Sequence, residues 1–128
     1  MGVVEVISTD KAPRPIAPYS QAVRAGPYLY ISGQVAINPD TGRVDGDDIE
    51  AQTRRVIENI KAILDAVGRD LRNIIKVTVY LSDRGDYDRF NKVYGEYFRD
   101  WRPARTTVEA KPPRDGLLIE MDAIAYIE

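Results

Sequence analysis

The longest regular signal in the chain lies between residues 49 and 68, "IEAQTRRVIENIKAILDAVG". There Val56, Ile57, Ile60, Ile63, Leu64 and Val67 recur every three or four residues, which places them on one stripe of a helix. Arg54, Arg55, Glu58, Lys61 and Asp65 take the other side. Asp47 followed by Glu50 predicts a capping box, and Gly68 predicts the C-terminal stop. A second stripe, Tyr87, Phe90, Tyr94, Tyr97 or Phe98, and Trp101, predicts a helix over 87–101 that Gly95 weakens. An aromatic stripe of this kind is expected to be core rather than a cofactor platform.

Elsewhere the period is two. "VVEVIS" at 3–8 predicts a first strand, and Pro13, Pro15 and Pro18 then fix an extended loop. A hairpin is expected at about 21–25 and 28–37, turning at Gly26-Pro27. In "IIKVTVYLS", Ile75, Val77, Val79 and Leu81 alternate against Lys76, Thr78, Tyr80 and Ser82. The last two runs, "ARTTVEA" and "LLIEMDAIAYI", flank "KPPRDG" and are expected to form an antiparallel pair. The order strands, helix, strand, helix, two strands predicts a single α+β domain over residues 1–128, with a mixed sheet and two helices packed on one face.

Alternation puts Arg105, Thr107 and Glu109 on one face of their strand, and Leu118, Glu120, Asp122, Ile124 and Tyr126 on one face of the last. A symmetric hairpin would set Thr107 opposite Glu120 and Arg105 opposite Asp122, so that Arg105, Thr107 and Glu120 converge. A mixed apolar and charged sheet face is often covered by another subunit, which predicts a homo-oligomer with polar pockets at its seams. Arg105 offers a planar fork for a substrate carboxylate, and Glu120 could hold a water and take its proton. The structural alternative is that Arg105 pairs with Glu120 or Asp122 across strands.

Composition narrows the chemistry. The chain of 128 residues has no cysteine and no histidine, which removes thiolate nucleophiles, disulfides, Ser-His-Asp triads and His- or Cys-based metal sites. An oxygen-ligated magnesium site stays open, but no clustered acidic motif is present, so no metal is expected. With 18 Lys plus Arg against 20 Asp plus Glu, a net charge of -2 provides no basic field for nucleic acid. There is no apolar run of ~18 residues for a membrane span and no apolar signal core at the start, so a cytoplasmic location is expected.

At "APYSQAV", "ISGQV", "FNKVYGEYF", "RPARTTVEA" and "IEMDAIA" the chain closely resembles the Rid/YjgF family of reactive-intermediate deaminases, in order and nearly end to end. The resemblance implies a chorismate-mutase-like fold, a homotrimer with active sites at the subunit interfaces, and hydrolysis of small 2-imino acids or enamines to 2-keto acids and ammonia without a cofactor. Arg105 matches the arginine that binds the substrate carboxylate, and Glu120 the glutamate that positions water. Tyr19, Ser32, Gly33 and Asn91 fall in the matching pocket motifs, and Thr107 stands where many members have cysteine. Ala17, Thr106 and Pro113 depart from the usual pattern, which bears on pocket shape and substrate preference. Two other readings stay open: an RNA-directed translation inhibitor or ribonuclease, and a non-catalytic trimer that binds keto acids.

Overall fold

A computed structural model describes residues 3–128 and confirms the α+β class. Six strands, β1 (Val4–Ile7), β2 (Ala22–Ala25), β3 (Tyr28–Val35), β4 (Ile74–Leu81), β5 (Ala104–Glu109) and β6 (Ile119–Tyr126), form one sheet in the order β1-β2-β3-β6-β4-β5. Helices α1 (Ile49–Asp65) and α2 (Tyr87–Tyr97) pack on one face of it. β1, β2 and β3 make an antiparallel meander, as their alternation and the Gly26-Pro27 turn predict. No helix among the described residues is long and apolar enough to cross a membrane.

α1 follows its pattern. Val56, Ile57, Ile60, Ile63 and Leu64 are fully buried against the sheet, together with Leu29, Met121 and Ala123. Burying each large apolar side chain stabilises the fold by about 1.5–3 kcal/mol, so the stripe dominates the energetics of this layer. The cap differs from the expectation by one residue. Asp48, not Asp47, has the extended backbone of an N-cap and accepts from Ala51 N at 2.9 Å. Gly68, with φ +68°, follows the helix as expected, in a conformation that a side chain would disfavour.

α2 is shorter than its aromatic pattern. Phe90, Tyr94 and Phe98 are core, joined by Val93, but Tyr87 and Trp101 are exposed at its two ends. Trp101 lies beyond the helix and donates its indole N–H to Ile74 O at 2.6 Å. In β4 the pairing with β6 slips between Ile74 and Lys76. This bulge puts Ile74 in the core and turns Ile75 outward, the reverse of the expected start of that strand.

The main correction concerns the last two strands. β5 does not form a hairpin with β6; it pairs in parallel with β4 at the sheet edge, with Val77 beside Arg105 and Val79 beside Thr107. A parallel pair needs a crossover, and α2 supplies it. β6 then enters antiparallel between β3 and β4 and becomes a central strand. Sequence contiguity favours the hairpin; the 22 residues that join β4 to β5 favour the crossover, which buries α2 on the sheet.

Gln52, buried on α1, ties the helix to the loop before β6. Its amide donates to Gly46 O at 3.1 Å and Gly116 O at 2.8 Å, and its carbonyl accepts from Leu118 N at 2.8 Å. Gln52→Ala is expected to destabilise the protein by about 2–3 kcal/mol in urea unfolding, because it strands three backbone groups in a dry setting.

Candidate active site

Two clusters hold the residues with chemical potential, and they lie on opposite faces of the sheet. The first is a cleft of ≈ 680 Å³ on the face away from the helices, lined among others by Tyr19, Ser32, Gly33, Val35 and Glu120. A β-bulge in β3 builds it: the pairing with β6 jumps from Ile31–Ala123 to Gln34–Met121, leaving Ser32 and Gly33 as the irregular pair. Ser32 is fixed by its hydroxyl donating to Ser20 O at 2.6 Å and its N–H donating to Gln21 O at 3.0 Å. Gly33 lies so close to Glu120 that a Cβ there would collide with the carboxylate. Tyr19 is half exposed at the rim.

Glu120 is half-buried, and its carboxyl is held above the ordinary glutamate range, chiefly by loss of hydration and secondarily by the negative charge of Asp122. Asp122 accepts from Tyr80 Oη at 2.9 Å, and that bond, with partial burial, raises the Tyr80 phenol as well. Among the described residues Glu120 has no cation within ion-pair distance.

The second cluster sits between β5 and α2. Arg105 lies against α2, its Cζ 4.7 Å from the Tyr94 ring centre, 5.2 Å from Phe90 and 5.8 Å from Tyr87. One Nη donates to Tyr87 Oη at 3.1 Å. Arg105 and Asn91 line a hollow of ≈ 320 Å³ together with Tyr94, Gly95 and Arg102. Burial pushes the Tyr94 phenol up to about 12 against the opposing charge of Arg105, so it is neutral at physiological pH. Tyr94 Oη and Thr107 Oγ1 are buried without a hydrogen-bond partner among the described residues. Buried polar atoms are nearly always paired, so these two orphans, on the helix-facing side of the sheet that also carries Arg105, mark a polar recess in an otherwise apolar layer.

The expected convergence of Arg105 and Thr107 with Glu120 therefore fails within the chain. Register puts Arg105 and Thr107 beside the helix-facing Val77 and Val79, whereas Glu120 pairs with Tyr80 and Val35 on the other face. The cross-strand ion pair fails too: among the described residues Arg105 has no carboxylate within 4.0 Å. Tyr19, Ser32, Gly33 and Glu120 are brought together; Asn91 and Arg105 are brought together; the two sets are apart. The aromatic stripe of α2 is core, as expected, and its ring faces also carry the arginine. Ala17 and Pro113, the departures noted in the sequence, both line the large cleft, while Thr106 accepts from Lys76 Nζ at 2.6 Å. No cluster of three or more acidic residues among the described residues is placed to hold a metal ion.

Known proteins resemble the whole chain. The endoribonuclease L-PSP family model matches residues 9–127. A RutC family protein of Pyrococcus abyssi is 54% identical over 124 residues, 97% of this chain and 98% of that one. The chloroplastic Reactive Intermediate Deaminase A of Arabidopsis thaliana is 37% identical over 123 residues, 96% of this chain and 66% of that one. The crystal structure of E. coli TdcF with bound serine superposes with a TM-score of 0.91 at 35% identity, covering 97% of this chain and 99% of that one.

The environment of Glu120 predicts a pH-dependent stability. A carboxyl raised in the folded state opposes folding once ionised, so stability is fully present below its unfolded value and declines as pH rises through the folded one. Glu120→Gln removes that penalty. Its Tm is expected to exceed that of the wild type at pH 7 and to converge with it near pH 4, and equal differences at both would refute the assigned environment.

Proposed function

The chain belongs to the endoribonuclease L-PSP family, which includes the Rid/YjgF proteins, and from that premise we propose that it hydrolyses reactive 2-imino acids and their enamine tautomers to 2-keto acids and ammonia. One observation carries the reading: Arg105 and Glu120 lie on opposite faces of one sheet, and among the described residues neither is in an ion pair. A site that needs both is assembled between protomers. One copy supplies Tyr19, Ser32, Gly33 and Glu120, and its neighbour supplies Asn91, Arg105 and Thr107. The relative named as a deaminase and the neighbour that binds serine, a small amino acid, agree with small-molecule chemistry.

The open sheet face supports assembly. Val4, Val6, Tyr28, Tyr30 and Tyr126 are exposed there, with Ile124 half-buried among them, and the registers align them into one apolar surface. Exposed apolar area of this extent favours a covering subunit, and a closed homotrimer satisfies every copy alike.

In the mechanism, the Arg105 fork binds the substrate carboxylate and fixes the imine over the cleft. Glu120, ionised, accepts a proton from water as the water oxygen attacks the protonated imine carbon, giving a carbinolamine. Glu120 returns that proton to the nitrogen. The C–N bond breaks as the carbonyl forms, the hydroxyl proton passes to Glu120 and on to ammonia, and the net products are keto acid and ammonium. The raised basicity of Glu120 suits both transfers. An RNA-directed activity, which the family model's name carries, has less support in a chain of net charge -2 without histidine.

Imines made in situ by an amino-acid oxidase and trapped with semicarbazide measure the activity. Arg105→Ala and Glu120→Gln are each expected to lose at least about a hundredfold in kcat/KM. Refolded together, the two inactive variants are expected to regain roughly a quarter of the wild-type activity, since each randomly mixed trimer rebuilds one intact site. No recovery from demonstrably mixed oligomers would place Arg105 and Glu120 in the same copy or outside the site.

The acid limb of the kcat/KM profile is expected above the ordinary glutamate value, because the base must be ionised and its folded value is raised. Asp122→Asn removes a neighbouring negative charge and is expected to move that limb to lower pH. A limb that stays put would show that Glu120 is not the group being titrated.

A further inference from the structure

The wall of the large cleft carries a feature that hydrolysis of a simple imino acid does not use. Arg14 and Arg114 line it together with a single acidic residue, Glu120, so the lining is net cationic in a chain of net charge -2. Both are exposed, and among the described residues neither makes an ion pair or a side-chain hydrogen bond. Several other arginines are engaged: Arg54 with Glu96, Arg55 with Asp45, Arg89 with Asp48 and Glu50, and Arg69 with Ile127 O.

The loops that carry the two arginines are held, which gives the pair a defined place. Pro13 and Pro15 flank Arg14, and the buried Gln21 amide donates to Thr9 O, Ala12 O and Pro13 O, fixing the backbone up to Arg14. Arg114 follows Pro112-Pro113, and Gln52 holds the same loop at Gly116 O and Leu118 N. Each guanidinium thus projects from a stiff, anchored loop on the rim of one cleft, an arrangement that matches an anion entering it.

We propose that Arg14 and Arg114 form a second anion clamp, so that the cleft selects 2-imino acids whose side chain ends in another carboxylate, the imines of acidic amino acids. The inference rests on the imine-hydrolysis reading of the same cleft. Arg105 of the neighbouring copy takes the carboxylate next to the imine, and the rim arginines take the distal one. Because the rim is exposed, the preference weakens as salt rises.

Binding tests the clamp independently of turnover. 2-Ketoglutarate and 2-ketopentanoate share chain length and keto-acid head and differ only in the distal carboxylate. By calorimetry at low salt the wild type is expected to bind the diacid at least about tenfold tighter, and R14Q/R114Q to bring the ratio near one. In semicarbazide competition the kcat/KM ratio of 2-iminoglutarate over 2-iminopentanoate is expected to fall in parallel. Equal binding of the two acids by the wild type, or a preference that survives in the double variant, overturns the clamp. A wild type that prefers the diacid but hydrolyses neither imine supports the clamp and sinks the deaminase reading; one that hydrolyses both imines without preference does the opposite.

Discussion

The parallel pairing of β5 with β4 governs where the chemistry lies. Because the two strands run the same way, the chain between them must cross the sheet, and α2 is the covering element that makes this crossing. The register then leaves Arg105 no choice of face. Beside Val77, which is fully buried under the helices, its side chain must run toward α2 and meet the rings of Phe90 and Tyr94. Had β5 paired with β6, the same residue would have faced carboxylates and been neutralised by them.

The aromatic setting holds a cation without discharging it. Contacts of a guanidinium with ring faces contribute about 0.5–2 kcal/mol, enough to orient the group but less than a buried carboxylate would gain from it. Glu120 is in the mirror condition: half-buried, raised by lost hydration and by Asp122, with Gly33 pressed against it and, among the described residues, no cation within ion-pair distance. The Glu120 charge alone opposes folding to some degree. Brought together across two copies in the proposed assembly, the two charges would share one substrate, whose carboxylate and protonated imine complement the arginine and the glutamate.

Much of this was legible in the sequence. The apolar stripe of α1, the aromatic core of α2, the first hairpin and the two-helices-on-one-face class all follow from periods of 3.6 and 2, which local sterics enforce. What periodicity cannot give is partner choice. Alternation says that Arg105 and Thr107 share a face; it is silent on whether that face meets helices or solvent, and a short loop such as "KPPRDG" invites the hairpin that does not form. Bulges are equally silent. One extra residue near Ile75 or at Ser32-Gly33 reverses the parity of a strand, and nothing in a run of β-branched or small residues announces it. The motifs named the candidate residues, but only the topology shows that they fall into two sets.

Apart from the β4 bulge near Ile75, the departures from regular structure gather at the two hollows. The bulge that breaks β3 lies at Ser32 and Gly33, the carboxyl with a raised proton affinity is the one Gly33 touches, and the guanidinium without a carboxylate shares its face of the sheet with two buried hydroxyls that lack partners among the described residues. The helix–sheet core, by contrast, is apolar, and its buried amides Gln21, Gln52 and Asn59 are all bonded. A sequence selected only for stability would straighten the bulge, pair the arginine and replace the glutamate. That most of these costs gather around two hollows, while the helix–sheet core obeys local rules, supports the proposal that the hollows are halves of one site.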